Sequence, residues 1–196
     1  MGTLRIQRFK ATDAPELMAQ AWRLRHRVFL ERLGWAVQSV DLLEIDPLDR
    51  LAVHLAVLVD ERVTAYLRML QASGPTLLHQ HFAGLVPESI PRSPRVWEAS
   101  RFVVEPNHPK RAAAARRLVQ EGMRLGHDLG ASQLVAVTEP HFETFLKRCG
   151  VPIARVADPM RVGHSTAGPV YALVVATDIN AASLASAGVQ LQARAA

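Results

Sequence analysis

The sequence predicts one α/β (α+β) domain in three layers, a mixed central sheet with helices on both faces. Three observations carry that prediction. The apolar periods alternate along the chain in the order β-α-β-β-(α)-β-α-β-α-β-β, with no internal repeat. At 196 residues the chain can bury one substantial core and is too short for two comfortable ones. Its 49% hydrophobic and 21% charged content belongs to a globular chain, neither disordered nor membrane-embedded. The single domain is expected to span 1–196, with its core over about 3–177 and a C-terminal tail over 178–196.

Residues 3–9 (TLRIQRF) read as the first strand. Thr12 or Asp13 then caps a helix with Pro15 in its first turn, running to about Arg32. Leu17, Ala21, Leu24 and Val28 form its buried stripe, and Arg25 and Phe29, four apart, share a face beside that stripe. Gly34 ends this helix, and Trp35 to Asp49 follow as a loop without a period. The apolar run Leu51 to Val59 is a buried strand, joined through Asp60-Glu61 to a hairpin partner over Arg62 to Leu70. On that partner Thr64, Tyr66, Arg68 and Leu70 share one face, which makes Arg68 a lone charge in an apolar strand.

A turn at Ser73-Gly74-Pro75 precedes a short helix holding Leu77, Leu78 and Phe82, and the proline-rich segment 87–94 is a connector. Arg95 to Val104 is a strand stopped by Pro106. Pro109 then opens a long helix to about Leu129, with Ala115, Leu118, Val119, Gly122, Leu125 and Leu129 inward. Gln133 to Thr138 is a strand, Glu139 to Arg148 a helix closed by Gly150, and Val151–Val156 and Val170–Thr177 the last strands. The Ala-, Ser- and Gln-rich tail from Asn180 reads as a helix or a loosely docked end.

Composition excludes several function classes. No apolar run approaches the ~20 residues needed to cross a bilayer, and the first ten residues lack the apolar core of a signal peptide. A cytoplasmic protein is expected. The single cysteine, Cys149, rules out an internal disulfide and reads as a small buried residue at a helix end. Net charge is +5, mostly from arginine, but the arginines are scattered, aromatics are 6% of the chain, and no nucleic-acid-binding motif appears. None of the eight histidines has zinc-site spacing, so no metal is expected. A glycine-rich phosphate loop is also missing: the stretch after the Arg95–Val104 strand reads EPNHPKRAAAARR. That stretch gathers Lys110, Arg111, Arg116 and Arg117 around a helix start, either as a solvated basic face or as a docking site for a phosphate-bearing partner.

The signal that points to function is the acidic triplet Glu44, Asp46 and Asp49 together with Arg25, Arg68, Glu98 and Arg101. Charges inside strands that otherwise look buried need compensation, and an arginine–carboxylate network lining a cleft supplies it. Glu98 and Arg101 have opposite strand parity, so both can face one cleft only if their strand bulges between them.

These residues resemble the acyl-homoserine-lactone synthases of the LuxI type. The resemblance rests on Arg25, Phe29, Arg32 and Trp35, then Glu44, Asp46 and Asp49, then Arg68, Gly74-Pro75 with Phe82, and Trp97-Glu-Ala-Ser-Arg-Phe102. It covers roughly residues 20–177. The chain departs from the pattern with Leu48 in place of an aromatic, Ala65 in place of a glycine and Gln71 in place of a proline. The resemblance implies a GNAT-like acyltransferase fold and two substrates, S-adenosylmethionine and an acyl thioester on acyl carrier protein or coenzyme A. It implies no cofactor, since S-adenosylmethionine is consumed, and no nucleic-acid or membrane partner. The α-amine attacks the thioester, and the carboxylate then closes the lactone with loss of methylthioadenosine.

That chemistry assigns expected roles. Glu98 is the candidate base, directly or through water. Asp46 and Asp49 would hold the substrate's cations, Arg25, Arg68 and Arg101 its carboxylate and the network, and Phe29 and Trp35 a flat wall. Phe82, Ser100, Phe102 and Thr138 complete the substrate site, with backbone amides along Glu98–Phe102 for the thioester oxyanion. The acyl chain would enter between the Arg95–Val104 and Gln133–Thr138 strands, and Thr138 matches a position that accompanies 3-oxo chains in some family members. Lys110, Arg111, Arg116 and Arg117 would dock an acidic carrier. Two other readings differ in what they predict. An acyl-CoA N-acyltransferase on the same fold would use another amine, and a basic binding module would release no methylthioadenosine.

Overall fold

The computed structural model describes residues 3–85, 90–165 and 168–191, apart from the side chain of His164. Eight strands form one sheet in the order β1 (Arg5–Phe9), β2 (Val53–Val59), β3 (Arg62–Gln71), β4 (Val96–Val104), β5 (Gln133–Thr138), β8 (Gly168–Asp178) and β6 (Ala154–Arg155), with β7 (Met160–Ser165) paired to β8. Every pairing is antiparallel except β4 with β5, so the sheet is mixed, as expected.

Strand β1 (Arg5–Phe9) pairs with β2 (Val53–Val59), which turns into β3 (Arg62–Gln71). Asp60 and Glu61 both take positive φ (48° and 60°), the geometry of a two-residue type I′ turn whose twist matches the flanking strands. The two-residue side-chain period then sorts these strands into two cores. Leu55, Val57, Ala65, Leu67 and Met69 face one side, against Leu118, Val119 and Met123 of α3 (Arg111–Asp128). Ala56, Leu58 and Tyr66 face the other side, against Met18, Ala21 and Leu24 of α1 (Pro15–Arg25). Helices on both faces make the three layers.

α1 begins without the expected side-chain cap, because the Thr12 hydroxyl donates to Asp13 and Ala14 occupies the cap position. It continues to Arg32 as expected, but His26–Arg32 is a π-helix, with Leu33 N–H bonded back to Val28 C=O. Such turns gather at functional sites. The loop that follows ends in a 3-10 turn, Pro47–Leu51, which takes Leu51 out of β2 and leaves it exposed.

α2 (Leu77–His81) starts at a Thr76 cap whose hydroxyl accepts from the His79 amide. Of the connector expected over 87–94, residues 87–89 lie outside the described residues. β4 (Val96–Val104) carries an irregularity of direct consequence. Tyr66 stands opposite Val103 and Arg68 opposite Ser100, so three steps on β4 match two on β3. The extra residue is absorbed at Arg101, whose φ is 57°. This is the bulge that the parity of Glu98 and Arg101 required.

β5 (Gln133–Thr138) runs parallel to β4 for three residues only, Val96–Glu98 against Gln133–Val135. Beyond Glu98 the two strands stop pairing, and a wedge opens between them.

Helix α4 (Pro140–Arg148) ends before Gly150, which takes φ 81°. The strand expected over Val151–Val156 shrinks to β6 (Ala154–Arg155), because Val151 is buried by core packing and not by a ladder. β7 (Met160–Ser165), unforeseen, pairs antiparallel with β8 (Gly168–Asp178). Of the two readings of the tail, the helix is observed. Asn180 caps α5 (Ala181–Ser186), and Ile179, Leu184, Ala187 and Val189 join the α3 core, so the described residues after 177 belong to the body of the fold. Cys149 is buried, as read from the sequence, and burial pushes its thiol up.

Candidate active site

The bulge decides which side chains reach the cleft. On β4, Trp97 and Ala99 face the α3 core, while Ser100 faces Arg68 on the opposite side. Without an extra residue Arg101 would follow Trp97 and Ala99 into apolar packing. With it, Arg101 joins the Ser100 side, and Phe102 turns to the α3 core instead, against Phe142 and Phe145 at 4.7 and 6.0 Å.

Around Arg101 lies a closed lattice of three arginines and three carboxylates. Arg25, 0% exposed, donates Nε to Glu44 Oε2 and Nη1 to both oxygens of Asp49 at 3.0 Å. Arg68, also 0% exposed, donates Nη1 to Asp49 Oδ1 at 3.0 Å and pairs with Asp46 Oδ2 at 2.9 Å. Its Nε donates to Ser100 Oγ at 3.1 Å. Arg101 Nη2 reaches Asp46 Oδ2 at 2.8 Å and Glu44 Oε1 at 3.0 Å. The charges cancel, as a buried ionic cluster must to offset its own desolvation.

Local backbone chemistry holds the carboxylates. Asp46 caps the 3-10 turn by accepting from Leu48 N–H at 2.9 Å, and Asp49 Oδ2 reaches back to Asp46 N–H at 3.2 Å. Trp22 Nε1 donates to Asp49 Oδ2 at 2.8 Å. Burial alone would raise the Asp49 carboxyl, but Arg25 and Arg68 outweigh it and hold it below the usual carboxylate range. Asp46 is lowered against the same burial, mainly by Arg68. Burial pulls the Arg101 guanidinium down, opposed by Glu44.

The lattice forms one wall of a cleft of about 1730 Å³ that continues into the β4–β5 wedge. Of the residues singled out in the sequence, Phe29, Trp35, Asp46, Phe82, Glu98, Ser100, Arg101, Phe102 and Thr138 line it, with Glu44. Phe29 and Trp35 stack face to face, 5.0 Å apart and 5° from parallel, with the Arg101 guanidinium 5.9 Å above the Phe29 ring. Arg25, Asp49 and Arg68 do not line it. They form an inner layer behind Glu44, Asp46 and Arg101, within the network expected of Arg25 and Arg68 and away from the cleft where Asp49 was expected to hold a substrate cation.

Glu98 stands apart from the lattice. Its Oε1 and Oε2 accept the Leu77 and Leu78 amides at 3.2 and 2.7 Å, so the start of α2 fixes the carboxylate beside the wedge. Among the described residues, Arg68 Nη2 and Arg101 Nε are buried donors without an acceptor.

The four basic residues expected to dock a carrier are not brought together. Arg111 lines the cleft. Arg116 and Arg117 lie ~140° and ~240° round the helix from it, and Arg117 is paired with Glu121 at 2.9 Å. Lys110 sits at the helix start. Among the described residues no group of three or more metal-ligating side chains occurs.

Sequence reasoning missed Trp22, His54 and Tyr66, which support the inner layer. Two signals were available: His54 interrupts the apolar run LAVHLAVLV, and Tyr66 shares the strand face of Arg68.

Comparison with known proteins points to one family. The autoinducer synthase family matches residues 10–183. An acyl-homoserine-lactone synthase from Pseudomonas aeruginosa is 31% identical over 154 residues, covering 76% of each chain. The solved AHL synthase LasI superposes with a TM-score of 0.87 at 25% identity, over 99% of this chain and 100% of that one. TofI, solved in a ternary complex with an inhibitor and MTA, gives 0.76 at 28% identity over 96% and 97%. For the fold alone, an acyl-CoA N-acyltransferase from Pseudomonas aeruginosa gives 0.62 at 18% identity over 88% and 99%.

Proposed function

The chain belongs to the autoinducer synthase family, and we propose that its arginine–carboxylate cleft holds S-adenosylmethionine while an acyl thioester reaches it through the β4–β5 wedge. The enzyme is an acyl-homoserine-lactone synthase. It moves an acyl group from a thioester to the amine of S-adenosylmethionine, closes the lactone, releases methylthioadenosine and so makes a quorum-sensing signal.

One observation supports this assignment of the site above the others: a charge-neutral lattice of both signs opens beside a flat aromatic wall onto an apolar wedge. S-adenosylmethionine carries an ammonium, a carboxylate, a sulfonium and a planar base, so it needs carboxylates, guanidinium donors and a ring wall together. Asp46 and Glu44 offer the first, Arg101 the second, and Phe29 with Trp35 the third. The unpartnered Nε of Arg101, which lines the cleft, is a donor that a substrate carboxylate would satisfy. The inner layer of Arg25, Asp49 and Arg68 keeps these groups in place before substrate arrives, which is the preorganisation that electrostatic catalysis requires.

In the first step the α-ammonium gives up a proton, and Glu98 is the receiving base, directly or through water. The amine then attacks the thioester carbon, the C–S bond breaks, and the thiol of the carrier leaves. Amides of β4 beyond Glu98, on the edge that β5 has left, would donate to the oxyanion. In the second step the carboxylate oxygen attacks the γ-carbon, whose bond to the sulfonium breaks, and methylthioadenosine departs. The acyl donor is carried by acyl carrier protein or coenzyme A, and Arg111 at the cleft supplies positive charge for its phosphate-bearing arm. No helix is long and apolar enough to cross a membrane among the described residues.

Purified protein with S-adenosylmethionine and a panel of acyl-carrier and acyl-CoA donors, read by mass spectrometry, tests the assignment. An N-acyl-homoserine lactone and methylthioadenosine in equal amounts are expected. Acylation of a different amine with S-adenosylmethionine unchanged would establish the plain acyl-CoA N-acyltransferase instead.

A further inference from the structure

His54 is the second residue of β2, with no solvent exposure, in a run that is otherwise apolar. Its ring is stacked between Phe9, at 5.2 Å, and Tyr66, at 5.8 Å. Both nitrogens are engaged. Nε2 is 2.9 Å from the Asp49 carbonyl oxygen and Nδ1 is 2.7 Å from the Tyr66 hydroxyl. A carbonyl can only accept, so Nε2 carries the proton and donates. Burial pushes the imidazole toward its neutral form, partly offset by that bond to Asp49. The neutral ring leaves a lone pair on Nδ1, and the Tyr66 hydroxyl donates to it. The chain of donors therefore runs one way: Tyr66 to His54 to the Asp49 backbone.

Both ends of that chain touch the inner layer. The Arg25 guanidinium lies 5.7 Å above the Tyr66 ring. Asp49 is the carboxylate that Arg25 and Arg68 share, and its Oδ2 accepts the amide of Asp46, which lines the cleft. A buried imidazole is a poor choice for packing alone, since an apolar residue would avoid its desolvation. What the imidazole adds is a fixed donor beneath the one turn, Pro47–Leu51, that holds Asp49 in the inner layer and is capped by Asp46 at the cleft.

We propose that His54 is a positioning residue for S-adenosylmethionine binding. It pins the Asp49 carbonyl from within the sheet, and so sets the carboxylates that Asp49 and Asp46 present to the arginines and to the cleft. The inference rests on the assignment of this cleft to S-adenosylmethionine. It names a device that acts on one of the two substrates only.

The test uses His54→Gln and His54→Asn in the full chain. A glutamine amide can occupy the position of Nε2 and keep the bond to Asp49, whereas the shorter asparagine reaches the position of Nδ1 and loses it. Each variant is measured for KM of S-adenosylmethionine, KM of the acyl donor, kcat and melting temperature. His54→Asn is expected to raise the S-adenosylmethionine KM about tenfold, the worth of one buried hydrogen bond, with the acyl-donor KM unchanged. His54→Gln should recover most of that loss. A wild-type S-adenosylmethionine KM in His54→Asn would overturn the inference. So would equal damage to both substrates in both variants, tracking the melting temperature, because that is the pattern of a purely structural residue. Failure of the wild-type protein to bind S-adenosylmethionine at all, by calorimetry, would overturn the parent assignment and is a separate result.

Discussion

Replacing Asp49 by asparagine isolates the physics of the inner layer. Asparagine keeps the shape and an acceptor for Trp22, but it deletes one negative charge from a cluster in which Arg25, Arg68 and Arg101 balance Glu44, Asp46 and Asp49. Asp49 is 2% exposed and both arginines that share it are 0% exposed, so water cannot screen the surplus positive charge. Removing one partner of a buried ion pair costs about 3–5 kcal/mol. For a chain of this size each kcal/mol shifts the melting temperature by roughly 2–4 °C, so a fall of roughly 6–20 °C is expected. Urea unfolding followed by circular dichroism and a thermal melt would measure it. Glu61→Gln, at the exposed Arg5–Glu61 pair, serves as a control expected to change stability by less than about 1 kcal/mol. The acid limb adds a second readout. Asp46 and Asp49 titrate lower in the folded protein than in the unfolded chain. Their contribution is therefore complete above the unfolded value of about 3.9 and is lost as pH falls through the folded values. Wild-type stability should decline steeply below about pH 4, and the Asp49→Asn decline should be shallower. A variant melting within about 2 °C of wild type, with the same acid slope, would refute the idea of a charge-balanced inner layer.

Further expectations concern the bulge, the base and the docked tail. Arg101→Gly and Arg101→Ala should both lose activity, but the glycine form should be about 1 kcal/mol more stable in urea, because alanine is strained at a φ of 57°. Equal stabilities would mean that the strand does not bulge there. Glu98→Gln should still bind S-adenosylmethionine by calorimetry while methylthioadenosine release collapses, and wild-type turnover would remove Glu98 as base. Gly150→Ala places a Cβ 2.1 Å from the Ser186 carbonyl oxygen at a φ of 81°, so a loss of about 2–4 kcal/mol in urea is expected. An unchanged midpoint would show that α5 is not seated against that turn.

Much of this was legible in the sequence, for identifiable reasons. Alternation in β2 and β3 marked their two faces, the Asp60-Glu61 pair marked the turn, and the opposite parity of Glu98 and Arg101 demanded the bulge. Other features leave no local trace. The π-turn over His26–Arg32 keeps its apolar residues near the helical period, so the change of bonding is silent. Val151 looks like strand because it is apolar, yet core packing buries it. The depth of a charge is also invisible: Arg25 and Asp49 read like Arg101 and Asp46, and only the path of the 3-10 turn puts one pair behind the other. Lys110, Arg111, Arg116 and Arg117 are neighbours in sequence, but a helix spreads them around its axis. His54 was noticed only as part of an apolar run, since a buried imidazole gains meaning from the carbonyl above it.

The early parting of β4 and β5 leaves an interior sheet margin. After Glu98, one side of β4 runs on without β5 beside it, along residues that line the cleft. On an outer rim such a margin invites another polypeptide to pair with it and aggregate. Set along the cleft, it would let a slender thread bearing amides lie against it as a surrogate strand. The arm that carries an acyl thioester is such a thread. On the assignment proposed above, this margin would act as a guide rail and feed the reacting carbonyl toward Glu98 at its end.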